Sequence, residues 1–325
     1  MSSQAEDAHY RPVNLEFLAK GGGDPFDIYT RSEGFGTVSY VKFASTHPKH
    51  QEKVLRLLEE GEAREGYFYI QEDDLFKYYA HATQSLRAMV GNPKISHTEK
   101  TKKIYDVSKG VMKEFFSYHA SGKILESSEE VMGMMEECMS TAGTGFGSIA
   151  QIANKDYYTH THSVNVGLYC MTYGLKAGMG REDARQLGLG GMLHDVGKSK
   201  IPESIINKNG GLTDKEFEEM KNHAPQGEEL LRGMTCYTNN VVRMAGEHHE
   251  KFCGGGYPKG LVGEEIALFA RICKIMDVYD ALTTRRSYKK AMSAFDTLTL
   301  MNKQMGDEFD RKLLGNFIRL MGPDL

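Results

Sequence analysis

The sequence is poor in cysteine, in long apolar runs and in excess positive charge. Its cysteines are odd in number and form no CxxC pair, so neither a disulfide framework nor a thiolate zinc site is indicated. Scattered cysteines of this kind are typical of reduced thiols in a reducing compartment. There are five of them, at Cys138, Cys170, Cys236, Cys253 and Cys273.

No targeting segment is predicted from the sequence. No stretch reaches the roughly 18 apolar residues of a membrane span. The first residues, MSSQAEDAHYRPVNLEF, lack the basic start and apolar core of a signal peptide. A formal net charge of −4 argues against a protein that binds nucleic-acid polymers. We therefore expect a cytoplasmic protein that does not bind membranes and that holds any nucleotide by a few local cations.

The length of 325 residues suggests two domains rather than one. Residues 1–95 predict a small α/β domain with an accessory or regulatory role. Strands are predicted in VNLEFL, PFDIYTR, TVSYVKF and GYFYI, where β-branched and aromatic residues lie between turn formers. Helices are predicted in HQEKVLRLLEE and EDDLFKYYAHATQSLRAMV. The histidines here, including His81, lack acidic neighbours and are interpreted as surface residues.

Residues 96–149 predict a helical connector. One charged helix is expected from Ser96 to about Ile124, and a second from Ser128 onward. The methionines of the second helix suit internal packing or a partner helix, so a homodimer through the connector is one expectation. From 150 to 325 the patterns are helical and no alternating strand pattern recurs, which predicts an all-α bundle. The expected fold class is therefore α+β.

The stretch that carries the chemistry is GGMLHDVGK, in which His194 and Asp195 are adjacent. Both side chains can reach a metal that lies along one helix edge, and the carboxylate could span two ions. Further candidate ligands lie before and after this pair. Together they offer nitrogen and oxygen but no sulfur, too many donors for one tetrahedral zinc and about the number for two octahedral ions. The set is His162, His194, Asp195, His223, His248, His249 and Asp277.

These residues stand in motifs that resemble the HD-GYP family of cyclic di-GMP phosphodiesterases. The carrying runs are HDVGK at 194–198, HHE at 248–250 and GYP at 256–258, and the resemblance extends from about Asp156 to Phe317. It implies an all-α catalytic domain that hydrolyses cyclic di-GMP to pGpG, or further to GMP, by attack of a hydroxide that bridges two metal ions. Iron is the expected metal, with manganese second. Residues 1–95 are similar, more loosely, to the accessory domain that often precedes such regions.

The resemblance also implies roles for single residues. His162, His194 and Asp277 would bind one ion, and His223, His248 and His249 the other, with Asp195 as the bridge. Lys198 would bind phosphate or stabilise the leaving group, and Arg286 would clamp a phosphate oxygen, whereas Arg285 is interpreted as a surface residue. The loop of Gly256, Tyr257 and Pro258 would contact substrate, and in the family it is implicated in contacts with GGDEF-domain partners.

Side chains around the ligands are expected to orient the imidazoles. The candidates are Thr159, Ser163, Glu250, Asp280 and Asp156. His160 is interpreted as exposed on the opposite helix face.

Four residues depart from the family pattern. Two of the changes bear on the loop and the metal centre, and the replacement of two prolines is expected to be tolerated. Cys253 replaces the aspartate of HHExxDGxGYP, and Tyr158 stands where members with a third metal carry glutamate, which favours a dinuclear centre. Ala267 and Ser287 replace prolines. Two alternatives remain: a cyclic dinucleotide receptor without turnover, which Cys253 favours, and an HD phosphohydrolase acting on another nucleotide.

Overall fold

The computed structural model divides into two compact units, Met1–Ser96 and His97–Leu325. The residues it describes are 9–15, 25–34, 37–59, 67–118, 122–142, 153, 158–208, 210–234, 236–285 and 290–322. Among the described helices, none has the length and apolar composition needed to cross a lipid bilayer.

The first unit is built on a four-stranded antiparallel sheet in the order β1-β4-β2-β3. Its strands are β1 (Tyr10–Val13), β2 (Ile28–Gly34), β3 (Thr37–Ala44) and β4 (Phe68–Gln71). Two helices accompany them, α1 (Pro48–Glu59) and α2 (Leu75–Val90). Tyr78 of α2 donates its hydroxyl to the Asn14 carbonyl at 2.9 Å and packs edge-on against Phe26. These contacts hold α2 against the residues that follow β1 and precede β2.

The prediction of strands and helices in the first unit is confirmed for three of the four strands and both helices. The first predicted strand, VNLEFL, shares only Val13 with β1, which backbone pairing with β4 places at Tyr10–Val13. The last three residues of VNLEFL lie outside the described residues. The sheet is antiparallel throughout its described strands, so the unit has α+β rather than α/β organisation. His81 is half-buried against Phe26, and burial lowers its pKa, so it is not a surface residue.

The second unit is helical over its described residues. The long helices are α3 (His97–Tyr118), α4 (Gly122–Ala142), α5 (Thr159–Lys176), α6 (Arg181–Leu193) and α11 (Leu268–Thr283). The shorter helices are α7 (Glu203–Ile206), α8 (Asp214–Lys221), α9 (His223–Arg232), α10 (Asn239–Glu247), α12 (Ala294–Lys303) and α13 (Arg311–Met321).

The two connector helices pack onto this bundle, α3 against α5 and α4 against α6. The break between them was predicted near Ile124 to Ser128, but α4 already begins at Gly122. The methionines of α4 are buried within the chain itself, so of the two expectations for them internal packing is confirmed. They are Met132, Met134, Met135 and Met139.

Helices α5 and α6 lie unusually close to each other. A Cβ built on Gly167 would lie 2.9 Å from the carbonyl oxygen of Gly188 on the facing helix, nearer than such atoms approach in folded proteins. Only glycine therefore permits this contact. The close pairing brings the first turn of α5 next to the end of α6, where the HD pair lies.

Candidate metal centre

Six of the seven predicted ligands lie at or next to the ends of helices, and the seventh, Asp277, lies within α11. His162 is in the first turn of α5, His194 caps the end of α6, and Asp195 precedes the 3-10 turn Val196–Lys200. The other four come from α9, the end of α10 and α11, and these are His223, His248, His249 and Asp277. Helices fix such side chains rigidly, which suits a metal site.

Asp195 is the residue that joins two groups of donors. Its Oδ2 lies 3.4 Å from Nε2 of His194 and 3.9 Å from Nε2 of His162. Its Oδ1 faces the other way, 3.4 Å from Nε2 of His223 and 3.8 Å from Nε2 of His248. Each carboxylate oxygen thus serves a different group, which is the geometry that a bridging ligand requires.

The two groups are completed by two more side chains. Asp277 Oδ1 lies 3.1 Å from His162 Nε2, and His249 Nε2 lies 3.1 Å from His223 Nε2. Ligand atoms that all lie within 4.8 Å of one another form two sets, one with His162, His194 and Asp195, the other with Asp195, His223, His248 and His249. Asp277 belongs to neither set and joins the first through its contact with His162. The structure brings all seven predicted residues together.

Hydrogen bonds on the outer nitrogens aim the imidazoles inward. Nδ1 of His194 donates to the Gly191 carbonyl at 2.7 Å, and Nδ1 of His223 to the Met220 carbonyl at 2.6 Å. His248 does the same to Ala245 at 2.9 Å, and Nδ1 of His162 lies 2.7 Å from the carboxylate of Asp280. A proton held on Nδ1 leaves the lone pair on Nε2, as a metal ligand needs.

Two of the candidate ligand atoms are buried with no hydrogen-bond partner in the described part of the chain, which also fits a metal ion. Nε2 of His194 and Oδ1 of Asp195 are buried, and within the described residues neither has a hydrogen-bond partner. Buried polar atoms without partners are costly and rare. Imidazole nitrogen and carboxylate oxygen suit iron, manganese, cobalt, nickel or zinc. A cation between these atoms would satisfy both.

Burial and neighbouring charges shift the pKa values of the candidate ligands. Burial disfavours the Asp195 carboxylate, but Lys198 and His194 outweigh it and hold its pKa well below the usual range. Burial likewise opposes charge on His194, yet Asp195 raises the His194 pKa to about 9. Burial and the neighbouring His223 lower the pKa of His249 to about 3, and burial with His249 lowers that of His248 well below normal.

A pH dependence of metal binding follows from these shifts. Without metal, His194 carries a proton below about pH 9, while His248 and His249 are neutral at pH 7. Since a ligand imidazole must be neutral, metal binding releases the His194 proton. We expect manganese(II) affinity to rise up to about tenfold per pH unit until about pH 9 and then to level off. Calorimetry in buffers of different ionisation enthalpy should show about one more proton released near pH 7 than near pH 10. Equal release at both would contradict the assignment.

A cavity of 1060 Å³ opens over the candidate centre. Its floor holds polar members of the site, including Lys198, whose Nζ contacts Asp195 Oδ2 at 2.5 Å. Apolar side chains from the α7 segment and from α11 form other walls, which the sequence did not point to. They are Ile205, Ile206, Leu212, Val278, Ala281 and Leu282. A charged floor with apolar walls suits a ligand that has both phosphates and flat rings.

Of the two adjacent arginines that the sequence singled out, the structure describes Arg285 and not Arg286. Arg285, interpreted as a surface residue, is exposed but lines the cavity. Arg286, the predicted phosphate clamp, and Ser287 lie outside the described residues, as does Asp156.

Tyr257 of the GYP loop lies against the centre. Its ring stacks on His249 with 4.7 Å between centroids, and Lys221 lies 5.7 Å above the ring. Burial raises the Tyr257 pKa, so its hydroxyl stays protonated and can donate. The ring also lines the cavity, which places it within reach of a bound ligand.

The loop before Tyr257 needs its glycines. Gly254 and Gly255 have φ of 87° and 74°, the left-handed values expected for this run. A Cβ on Gly256 would collide with the backbone nitrogen of Lys251. Pro258 is exposed.

Glu250 acts on this loop and not on an imidazole as expected. Its buried carboxylate accepts the backbone N–H groups of Lys259, Gly260 and Leu261 at 2.6, 3.1 and 3.0 Å. The Ser163 hydroxyl is buried and has no hydrogen-bond partner among the described residues, so the same expectation for Ser163 is wrong. For Asp280 it is confirmed by the His162 contact. Thr159 lines the cavity.

Four other residues that the sequence singled out have clear surroundings. Cys253 is exposed, with its thiol 3.7 Å from the Gly254 carbonyl. Tyr158 is exposed and stacks on His160, which is half-buried rather than exposed. Burial, with Lys113 and Lys109 adding to it, lowers the His160 pKa to about 4. The N–H of Ala267 donates to Glu247 at 2.8 Å, a bond that proline could not make.

Comparison with known proteins defines the class first. The family model of the HD domain matches residues 148–313, a little over half of the chain. The chain belongs to the HD domain family. All seven clustered histidines and aspartates lie inside the matched range.

Curated relatives are similar over the same region. A cyclic di-GMP phosphodiesterase of Pseudomonas aeruginosa is 36% identical over 54% of this chain and 42% of its own length. The cyclic di-GMP phosphodiesterase response regulator RpfG of Xanthomonas campestris is 40% identical over 44% of this chain and 38% of its length. A 3'3'-cGAMP-specific phosphodiesterase of Vibrio cholerae is 34% identical over 54% of this chain and 36% of its length. The chain thus spans under half the length of these relatives.

One solved structure shares the fold along nearly the whole chain. It is an HDG"Y"P protein from Bdellovibrio bacteriovorus, with a TM-score of 0.67 at 16% identity over 96% of this chain and 99% of that one. With the HD domain match and the curated relatives, this confirms the resemblance to HD-GYP proteins found in the sequence.

Proposed function

We propose that this protein is a metal-dependent phosphodiesterase that hydrolyses cyclic di-GMP to pGpG, or further to GMP. The observation that carries the proposal is the position of Asp195, whose two oxygens face separate groups of inward-pointing imidazoles. That arrangement lies on the floor of a cavity large enough for a dinucleotide.

Two divalent ions would be bound, for which iron is the first choice and manganese the second. One ion would be held by His162, His194 and Asp277, and the other by His223, His248 and His249. Such a pair would supply an activated water and neutralise the charge of the phosphodiester. The chain's own groups add binding and orientation. Lys198 would bind a phosphate oxygen, Tyr257 would stack on or donate to the substrate, and Arg286 would clamp a second oxygen.

A second substrate has specific support. Relatives named as 3'3'-cGAMP-specific phosphodiesterases are 34% to 36% identical to this chain over about half its length, as similar as some of those named for cyclic di-GMP. The two dinucleotides differ in one base only, so the cavity walls and not the metal ligands would decide between them.

The direct test is turnover by purified protein. Protein loaded anaerobically with iron(II), or with manganese(II), is incubated with each cyclic dinucleotide, and linear products are separated by chromatography. We expect pGpG from cyclic di-GMP. Tight binding of either dinucleotide by metal-loaded protein without product would instead establish a receptor. Hydrolysis of neither, with hydrolysis of another nucleotide, would point to a different HD phosphohydrolase.

A substitution at Cys253 tests whether this residue belongs to the loop alone or also binds metal. Because its thiol is exposed and bonds only to the loop carbonyl of Gly254 in the described contacts, Cys253→Asp should leave the metal content unchanged. Turnover should stay equal or rise, since the variant restores the family aspartate. Elemental analysis of wild type and variant checks this, and a change in metal stoichiometry would place Cys253 among the ligands.

Two partners are also proposed. The exposed positions of the GYP loop, Gly255 and Pro258, are available to a GGDEF-domain protein. A homodimer through the connector would have to use faces of α3 and α4 other than the buried methionine stripe. Analytical ultracentrifugation, alone and with a GGDEF domain, tests both.

A further inference from the structure

A chain of buried polar side chains leads away from the candidate metal centre. Asp280 on α11 accepts from Nδ1 of His162 at 2.7 Å. Asn165 on α5 donates its Nδ2 to the other oxygen of Asp280 at 2.9 Å. Tyr105 on α3 donates its hydroxyl to Oδ1 of Asn165 at 2.7 Å. All four side chains are buried.

We propose that Tyr105 is a positioning residue for His162, acting through Asn165 and Asp280. This inference rests on the proposed function, because it assigns His162 as a ligand. It gives the connector helix α3, with which the second unit begins, a direct part in the geometry of the centre.

The donors and acceptors of the chain leave a single arrangement. Asp280 offers only acceptors, so the amide of Asn165 must turn its NH₂ toward Asp280 and its oxygen toward Tyr105. The Tyr105 hydroxyl must then donate. The Asp280 carboxylate therefore determines the direction of each hydrogen bond as far as Tyr105. The Tyr105 hydroxyl in turn holds the Asn165 amide in that orientation.

Asp280 needs such a support because, within the described residues, few donors hold its buried carboxylate in place. Thr284 also donates to Asp280 Oδ1, but at 3.2 Å. A carboxylate can rotate when its donors are weakened, and rotation of Asp280 would release the His162 ring from its orientation toward Asp195. Partners that orient a ligand imidazole typically contribute about 10–100-fold to metal affinity or activity.

The test compares two buried tyrosines. Tyr105→Phe removes only the hydroxyl of the chain. Tyr173→Phe is the matched control, since Tyr173 is also buried, and its hydroxyl bonds Leu313 and Asn316 instead. We expect Tyr105→Phe to weaken manganese(II) binding about tenfold and to lower kcat with KM unchanged, while Tyr173→Phe leaves both unaltered.

A readout without metal keeps the inference separate from the proposed activity. In ¹H–¹⁵N spectra of the metal-free protein, the Nδ1–H signal of His162 should shift in Tyr105→Phe and not in Tyr173→Phe. Adding Tyr105→Phe to Asn165→Leu should have no further effect, because both act through one chain. If the two phenylalanine variants match in spectrum and metal affinity, the inference is wrong. If wild type hydrolyses no cyclic dinucleotide yet the spectra differ, the proposed function fails and the positioning role stands.

Discussion

Asp195→Ala is expected to abolish turnover and remove bound metal. The carboxylate is the only described group whose two oxygens face both donor groups. Its loss would also leave the ammonium of Lys198 and the high-pKa imidazole of His194 without their counter-charge. Since partners outside a ligand set already cost about 10–100-fold, loss of a bridging ligand should cost more than about 100-fold in kcat/KM. Elemental analysis and a pGpG assay measure the two effects.

Asp183→Ala is the matched control. Asp183 lies on the same helix, α6, and is exposed in its first turn. Metal content and turnover should equal those of wild type. Full metal content in Asp195→Ala would contradict the bridging role, even if activity were lost.

Gly197→Ala is expected to have the second largest effect. A Cβ at Gly197 would collide with the carbonyl oxygen of His223, and it would lie 2.5 Å from the backbone nitrogen of Gly227. The turn that follows Asp195 must then move away from α9. This would widen the 3.4 Å gap between Asp195 Oδ1 and His223 Nε2. A misplacement of about 1 Å can lower a rate by about 100-fold, and overpacking typically costs about 1–3 kcal/mol of stability.

Thermal unfolding and metal content together check this prediction. We expect a lower Tm and loss of the ion proposed for the group that contains His223, with the other ion retained. Gly133→Ala on α4 serves as the control, because a Cβ there meets nothing within 4 Å. It should leave metal binding intact and raise stability by about 0.5–1 kcal/mol. Equal behaviour of the two variants would show that the close contact at Gly197 is not needed.

The sequence predicted the site better than its surroundings. Histidine and aspartate in spaced motifs are distinctive, so all seven clustered side chains were named before the structure placed them together. Periodicity likewise predicted the helices of the second unit. Boundaries failed where tertiary contacts decide them, as at the start of α4 at Gly122 and at β1, whose position is set by pairing with β4.

The supporting contacts had no local signal. Tyr105 precedes Asn165 by 60 residues, and nothing in the pattern of α3 distinguishes it from other buried aromatic residues. Glu250 was expected to orient an imidazole, but its carboxylate accepts from the backbone N–H groups of the loop instead. Arg285 and the apolar walls are recognisable only once the cavity is known.

The carboxylate that gathers the three N–H groups of Lys259, Gly260 and Leu261 belongs to the residue directly after His249. A single peptide bond therefore separates the anchor of an exposed loop from a candidate metal ligand. A protein that docks on this loop and displaces it by a fraction of an ångström would pull on the end of α10. Docking would then alter the coordination at the proposed metal centre, although the docked protein would not contact the substrate.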